Sequence, residues 1–312
     1  MKLLHIALGT HQKAMIKAFD AHFEAKHYDW TQKQSTPHLI NEDVLKIANE
    51  FMPEVIFMQL QTPNIITPET AKKISEIGIV INWTGDVRHP IPEWYKQIGR
   101  EIDLTMFTNT NDVLEFNKQG IPAQFLPIGF DPEINTPKGS EKEIAPIVFC
   151  GSNYKTANPF PLSVYREQMV HTLTSRYKKD FTVFGAGWDR YQLKSSFIDI
   201  NEEAIVYRSG LIGINLSHFN YGRYYSDRMI KMMGSGIFVL SHHYPGIEED
   251  FTIGKHLDTW KNLCELTQKI DYYLNNNEER EEMAKLGCQY AHDNFTWNNV
   301  AMQLKKIIGI DE

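Results

Sequence analysis

Three basic side chains lie close together in the C-terminal half of this sequence. Arg223, Arg228 and Lys231 fall within nine positions, and Arg228 and Lys231 are three residues apart. Residues with this spacing share one face of a helix. A Gly234-Ser235-Gly236 break follows directly. A diphosphate group requires clustered positive charge of this kind, so the segment is a candidate anion site.

A second glycine turn follows the apolar run at 237–241. It reads Tyr244-Pro245-Gly246-Ile247-Glu248-Glu249, and its acidic residues suit the first turn of a helix. Backbone N–H groups at a helix start bind phosphate oxygens. The two turns together predict a diphosphate-binding segment. A solvated basic helix face followed by ordinary glycine turns explains the same residues, and the pattern alone leaves both interpretations open.

Short apolar runs alternate with longer helical patterns along the chain. Strands separated by helices pair in parallel through right-handed crossovers, which predicts an α/β fold. A chain of 312 residues suits two domains of about 150 residues each. Residues 131–146 are rich in turn-forming residues, lack periodicity and predict a linker. We therefore expect domains at 1–140 and 141–295, and a terminal helix at 296–312 that packs back on the N-terminal domain.

Composition argues against several classes of protein. The net charge is −7, with −4 in residues 1–140 and −3 in the remainder, so neither half is a basic nucleic-acid surface. No apolar run approaches the roughly 20 residues of a membrane span. The three cysteines, Cys150, Cys264 and Cys288, are widely spaced and predict neither a disulfide framework nor a metal site. We expect a cytoplasmic protein.

The segment from Arg228 onward resembles the donor-binding region of GT-B glycosyltransferases. That region typically has an arginine, a short helix, a small-Gly break, an apolar strand, a Gly-hydrophobic-Glu-Glu turn and an aromatic residue. The corresponding features here are Arg228, 229–233, Ser235-Gly236, 237–240, Gly246-Ile247-Glu248-Glu249 and Phe251. The resemblance covers roughly residues 147–300. It is strongest to the glycosyl transferase family 1 and spore-maturation CgeB-like groups.

This resemblance implies two Rossmann-like domains with parallel sheets facing a central cleft. It also implies a UDP- or GDP-linked nucleotide sugar, bound mainly by the C-terminal domain without a metal ion or other cofactor. Arg228 and Lys231 are then expected to neutralise the leaving nucleotide diphosphate. Further donor contacts are expected from Gly151, Ser152, Asn153, Gly187, Trp188, Arg223, Gly246, Ile247, Glu248 and Glu249, with Trp188 either packed on the base or structural.

The sequence departs from the family pattern at two positions. Many relatives with retaining chemistry carry two glutamates eight residues apart, and the corresponding positions here are Arg223 and Lys231. The usual glutamate contact to the donor is therefore missing or replaced. This departure leaves the nucleotide, the sugar and the stereochemical outcome open.

The N-terminal half offers fewer candidates. His11 follows the first strand, and a histidine titrates near neutral pH, so it is a candidate base or merely a helix-start residue. Asp86 follows the strand at 79–83 and is a candidate for deprotonating an acceptor hydroxyl, with an ordinary turn aspartate as the alternative. Arg88 is a weaker candidate for contacting phosphate or acceptor charge.

The sequence predicts a hexosyl- or pentosyltransferase and leaves other functions open. A catalytically inactive nucleotide-sugar sensor on the same fold fits the replaced glutamates. A GT-B-like epimerase or phosphorylase is a third possibility. The acceptor is unassigned among a glycan, a protein, a small molecule and a modified nucleic-acid base.

Overall fold

The computed structural model describes residues 1–9, 12–142, 144–154, 160–189 and 200–309. The chain divides into two compact units. The first unit contains Met1–Gly129 and Trp297–Glu312, and the second contains Phe130–Thr296. Each unit carries one parallel β-sheet with helices, so the predicted α/β class is confirmed.

The strands fall into a six-stranded sheet in the first unit, ordered β2-β1-β3-β4-β5-β6, and a five-stranded sheet in the second, ordered β11-β10-β9-β7-β8. The described strands are β1 (Lys2–Ala7), β2 (Glu24–Asp29), β3 (Val55–Met58), β4 (Ile79–Thr84), β5 (Leu104–Phe107), β6 (Ala123–Phe125), β7 (Ile147–Cys150), β8 (Phe181–Phe184), β9 (Ile212–Asn215), β10 (Phe238–His242) and β11 (Asp258–Trp260).

Helices follow most of the strands, as parallel crossovers require. The described helices are α1 (Lys13–His22), α2 (Pro37–Phe51), α3 (Pro68–Ser75), α4 (Glu93–Arg100), α5 (Thr110–Lys118), α6 (Ser163–Tyr177), α7 (Ile200–Ser209), α8 (Asp227–Gly234), α9 (Ile247–Asp250), α10 (Leu263–Asn275), α11 (Asn277–Asn294) and α12 (Trp297–Ile307). None of these helices combines the length and the apolar character that crossing a bilayer requires.

The first sheet is covered by apolar side chains on both faces. Leu4 and Ile56 belong to one buried cluster, and Leu3 and Phe57 belong to another. This division follows from the two-residue period of a strand. The terminal helix α12 packs against α1 within the first unit.

The boundary between the units differs from the expected one. The first unit ends at Gly129 rather than at 140, because Phe130 packs into the second unit. The Phe130 N–H donates to the carbonyl of Phe295 at 3.1 Å, and its ring covers Gly234. The segment at 131–146 is likewise held within the second unit, since Arg208 donates to the carbonyl of Thr136 at 3.0 Å. Its described residues therefore do not form a free linker.

Gly287 marks a close approach inside the second unit. It lies in α11, which packs against α8, and a Cβ at this position would lie 2.2 Å from the carbonyl oxygen of His256. A backbone atom cannot move aside as a flexible side chain can. The packing of α11 in this region therefore depends on the absence of a side chain.

We predict that Gly287→Ala lowers the free energy of unfolding by about 2 kcal/mol, because the new methyl group overpacks a buried contact. Thermal and urea unfolding measure the loss. Glu282→Ala, an exposed site on the same helix, is the control and should change stability by less than about 0.5 kcal/mol. Equal stability of Gly287→Ala and the wild type would contradict the described packing.

Candidate functional site

The candidate donor segments lie at one edge of the second sheet. β10, β9, β7 and β8 are neighbours and run parallel. Their carboxyl ends lead into the loops at 243–246, 216–218, 151–153 and 185–188. Ligands of open parallel sheets bind beyond the carboxyl ends of the strands. The structure therefore brings these loops to a single edge, which we call the carboxyl edge.

The loop at 151–153 is packed tightly against the loop that follows β8. The N–H of Asn153 donates to the carbonyl of Ala186 at 2.8 Å. Gly187 has a φ of +85°, and a Cβ on it would lie 2.3 Å from the carbonyl oxygen of Asn153. The side-chain amide of Asn153 donates to Glu167 at 3.0 Å. Gly187 thus shapes the site through its backbone.

Trp188 belongs to the core rather than to a ligand surface. It is fully buried in the main apolar cluster of the second unit. Its indole N–H donates to the carbonyl of Gly151 at 2.6 Å, and its ring meets Phe149 edge-on. The structure contradicts the interpretation in which Trp188 packs on a nucleotide base, because a ring with no exposed surface cannot stack on a ligand. Its role is to support the loop from below.

Arg166 on α6 contributes to the carboxyl edge, and the sequence reasoning missed it. Its side chain is almost completely buried. One guanidinium nitrogen donates to the carbonyl of Ser152 at 3.1 Å, and the other donates to the carbonyl of Leu216 at 2.6 Å. A Cβ on Gly151 would lie 3.0 Å from Arg166, so this glycine leaves room for the guanidinium. Arg166 makes no ion pair within the described part of the chain.

His218 is the second residue that the sequence reasoning missed. Arg166 donates to its Nε2. Because arginine only donates, Nε2 must accept, and the ring proton lies on Nδ1, which is 3.3 Å from the hydroxyl of Ser163. Burial, followed by the charges of Arg166 and Arg228, lowers the pKa of His218 to about 3. His218 is therefore neutral at physiological pH.

Lys231, predicted to bind the diphosphate, is held by acidic side chains of its own unit. Its ammonium lies 2.6 Å from Asp227 and 3.1 Å from Glu203. Burial would lower the pKa of Lys231, but these two carboxylates outweigh it and raise the pKa above its ordinary value. The described geometry commits the charge of Lys231 to the packing of α8 against α7.

Arg228 differs from Lys231 in its surroundings. Its guanidinium contacts Asp227 only at 3.8 Å, and about a third of its side chain (32%) is exposed. Within the described part of the chain it makes no hydrogen bond. Its charge nevertheless lowers the pKa of both Arg166 and His218, so it lies near them. Arg228 is the predicted basic residue with the greatest capacity for an external anion.

Arg223 has a structural partner. It donates to the two carboxylate oxygens of Asp250 at 3.0 and 2.6 Å, and it lies 3.6 Å from Glu249. Its N–H also donates to the carbonyl of Pro245 at 2.7 Å. A Cβ on Gly246 would lie 2.9 Å from the Arg223 side chain. This bidentate ion pair fixes the glycine turn and commits the charge of Arg223 to Asp250. The donor contact expected of Arg223 stays a prediction.

The turn at 246–249 supplies fewer free groups than expected. The N–H of Ile247 donates to Tyr244 at 3.3 Å, and the Ile247 side chain is fully buried. The N–H of Glu249 donates to Gly246 at 3.1 Å. The Glu248 carboxylate lies 3.0 Å from His243. The N–H groups of Ile247 and Glu249 therefore already have partners within the turn. The donor contacts expected of Gly246, Ile247, Glu248 and Glu249 stay predictions.

The candidates in the first unit are less concentrated. Asp86 follows β4 and is exposed, and its backbone exchanges hydrogen bonds with the hydroxyl of Thr84. Arg88 donates to the carbonyls of Leu60 and Gln61 at 3.2 and 3.3 Å and lies over the ring of Tyr95. The Arg88 guanidinium is thus bound to its own unit rather than directed at a ligand. His11 lies outside the described residues, and its role stays a prediction.

A pocket of about 320 Å³ lies at the carboxyl ends of β1 and β2. Gly9, Ile16, His27, Asp29 and Lys33 are among the residues that line it. Its lining combines a carboxylate, an ammonium and an imidazole group with apolar side chains. A polar small molecule or a sugar hydroxyl fits these surroundings.

We predict that Lys231→Met destabilises the protein by about 3 kcal/mol near pH 7, because two partly buried carboxylates lose their cation. Burial raises the pKa of Asp227, but Lys231 and Arg228 outweigh burial and hold it below its ordinary value. The stabilisation is therefore present above pH 4 and is lost as the pH falls toward 2. Thermal unfolding between pH 3 and 7 measures it.

The difference between Lys231→Met and the wild type should shrink as the pH falls below about 4. Lys73→Met removes the exposed ion pair with Glu69 and serves as the control, with an expected change below about 1 kcal/mol. A Lys231→Met protein that unfolds at the wild-type temperature at pH 7 would show that the pairing contributes nothing.

A family model matches the part of the chain that contains the candidate donor segments of the second unit. Residues 166–306 match a family model described as glycosyl transferase-like. The match begins at Arg166 and includes α8, the glycine turn and α11. No curated protein matches the chain in sequence.

Solved structures resemble the whole chain. HepE of Anabaena, solved in complex with UDP-glucose, is 12% identical with a TM-score of 0.69, and the alignment covers 99% of each chain. Sucrose-phosphate synthase of Thermosynechococcus elongatus is 10% identical with a TM-score of 0.67, covering 99% of this chain and 98% of the other. A glycosyltransferase of Rickettsia africae is 13% identical with a TM-score of 0.67, covering 99% of each chain.

The identities are low, so the likeness to these structures concerns the fold. The two Rossmann-like parallel sheets and the matched structures confirm the predicted α/β fold with one parallel sheet in each unit. The chain has the fold of GT-B glycosyltransferases, and its residues 166–306 are similar to the glycosyl transferase-like family model.

Proposed function

We propose that this protein is a metal-independent glycosyltransferase that moves a sugar from a nucleotide-sugar donor to an acceptor hydroxyl. The observation that carries the proposal is the position of Arg228 at the carboxyl edge of the second sheet. Its guanidinium is partly exposed, lies near buried Arg166 and contacts one carboxylate at 3.8 Å. A positively charged group with this environment suits a diphosphate.

In the proposed reaction, negative charge develops on the leaving diphosphate, next to Arg228. The acceptor hydroxyl oxygen forms a bond to the anomeric carbon of the donor sugar. The bond from that carbon to the diphosphate oxygen breaks, and its electron pair stays on the diphosphate. Arg228 stabilises this developing negative charge, and a carboxylate or imidazole base accepts the hydroxyl proton. Because side chains supply the positive charge, the proposed reaction requires no metal ion.

A UDP-linked donor is the first choice, since the structurally similar HepE was solved with UDP-glucose. A GDP-linked donor is the second choice. We also propose membership of the CgeB-like group, supported by the order of Arg228, the small-Gly break, the Gly246 turn and Phe251. The three cysteines are unpaired, which supports a reducing compartment such as the cytoplasm.

The acceptor is proposed to bind to the first unit. The pocket beside Gly9, His27 and Asp29 offers polar groups to an acceptor hydroxyl. Asp86 is the proposed base because its carboxylate is exposed and follows β4. His11 is a second candidate base, on its sequence position alone.

An inactive nucleotide-sugar sensor is the competing function. It is favoured by the positions of Arg223 and Lys231, where retaining relatives carry glutamates. Both residues are engaged in ion pairs with acidic partners of their own unit. A sensor binds the nucleotide sugar but releases no nucleotide diphosphate with any acceptor, so a turnover assay separates the two functions.

We predict that the wild type slowly hydrolyses at least one sugar in a panel of UDP- and GDP-linked donors. Arg228→Ala should lower the rate of nucleotide diphosphate release by about 100-fold, because a charge that stabilises the leaving group is lost. Arg176→Ala is the matched control, since Arg176 is exposed on α6 and paired with Asp271. Equal rates for Arg228→Ala and the wild type would falsify the assigned role.

Asp86→Asn should lower sugar transfer to an added acceptor by about 100-fold or more, because the amide cannot accept the hydroxyl proton. Its affinity for the donor should be unchanged. Glu69→Gln, an exposed carboxylate on α3, is the control. Near-normal transfer by Asp86→Asn would remove Asp86 from the mechanism and leave His11 as the candidate base.

A further inference from the structure

Arg166 is a buried cation that lacks an anion within the described part of the chain. Only 2% of the residue is exposed. Its hydrogen bonds go to two carbonyl oxygens and to neutral His218. Its Nε is buried without a hydrogen-bond partner among the described residues. A buried charge without a counter-ion is costly, so a structure that retains one usually requires it.

The second unit contains another buried arginine, Arg280, whose charge is compensated by an acidic side chain, and it serves for comparison with Arg166. Arg280 on α11 is 3% exposed and donates to the carbonyl of Tyr273 at 2.6 Å and to the side chain of Asn277 at 2.7 Å. Unlike Arg166, it also has an acidic partner, since its guanidinium lies 3.4 Å from Glu281. Arg280 lies away from the carboxyl edge, in a helix pair. The two arginines match in burial and differ in charge compensation.

The charge of Arg166 is reinforced rather than neutralised by its neighbour. Burial, and then the positive charge of Arg228, lower the pKa of Arg166. The two guanidinium charges therefore interact at the carboxyl edge. Among the described residues, the titratable side chain bonded to Arg166 is His218, which is neutral. Negative charge from a ligand would relieve this repulsion.

We propose that Arg166 is a positioning residue for the donor diphosphate. It joins the loop after β7 to the loop after β9 by bonding Ser152 and Leu216, and it supports Arg228 with a second positive charge from beneath the loop. His218 keeps the guanidinium in place because its Nε2 accepts from Arg166 while its Nδ1 proton reaches Ser163. This inference rests on the proposed function and extends it to a residue that need not touch the ligand.

The test compares UDP, which carries the diphosphate, with uridine, which lacks it. Binding is measured by calorimetry for UDP and by ligand-observed NMR for uridine, at low and at moderate salt. Arg166→Met should weaken UDP binding by about tenfold, because a positive charge near the diphosphate and the link between the two loops are lost, and leave uridine binding within about twofold. The salt dependence of UDP binding should also decrease.

Arg166→Lys is the second variant, because it keeps the charge and loses the fork that joins two carbonyls. It should retain the salt dependence of UDP binding while lowering the rate of sugar release, since the loops are no longer held together. A purely structural arginine is not expected to show an unchanged salt dependence of UDP binding together with a lower rate of sugar release. If Arg166→Met does not fold, Arg166→Lys decides the outcome.

Arg280→Met is the matched control, with an expected loss of thermal stability and unchanged UDP affinity. Wild-type UDP affinity in both Arg166 variants would overturn this inference alone, and so would equal weakening by Arg166→Met and Arg280→Met. A wild type that binds neither UDP nor GDP would overturn the proposed function itself.

Discussion

The second unit depends on holding concentrated positive charge at the carboxyl edge of a parallel sheet. Removing a guanidinium from water is costly unless polar groups replace its hydration. Arg166 meets this requirement with two backbone carbonyls and a neutral histidine, and Gly151 provides the space. The loops after β7 and β9 are thereby fixed by the same residue that brings charge to them. Arg166 therefore determines both the positions of these two loops and the positive charge near them.

The acidic side chains of the second unit pair with some of its basic residues and leave another able to bind an external anion. Asp227 and Glu203 engage Lys231, and Asp250 engages Arg223 in a bidentate pair. These pairs fix α8 against α7 and hold the turn at Gly246. Arg228, adjacent to Asp227 but 3.8 Å from it, keeps more of its hydrogen-bonding capacity. Arg223 and Lys231, which stand where the family pattern has glutamates, thus form ion pairs with acidic side chains. Arg228 lies between them in the sequence and has weaker acidic contacts.

The sequence predicted most of the architecture because period and apolar runs are local signals. The α/β class, the parallel pairing of the strands and the two glycine turns of the second unit followed from these signals. The edge strands β2 and β11 give no such signal, since β2 has no continuous apolar run and none of its residues is fully buried, and β11 has three residues. The boundary was misplaced because 131–146 has a turn-rich composition, although its packing belongs to the second unit.

The site was predicted less completely than the fold, since burial and pairing are properties of tertiary structure. Of the two roles considered for Trp188, the structure shows the structural one, since its ring belongs to the core. The ion pair of Arg223 with Asp250 was not predictable, because it joins residues 27 positions apart. Arg166 did leave a signal. It lies in helical register with buried Met169, Val170 and Leu173, and a charged residue on an apolar helix face is unusual. His218 left none, since it sits in a loop without periodicity.

The most direct measurement is a crystal structure of the protein with a bound UDP-sugar, or with UDP if the sugar is hydrolysed. We predict that the diphosphate lies at the carboxyl edge of the second sheet, with a guanidinium nitrogen of Arg228 within about 3 Å of a phosphate oxygen. A nucleotide bound elsewhere, or a diphosphate at this edge with Arg228 turned away from it, would contradict the account.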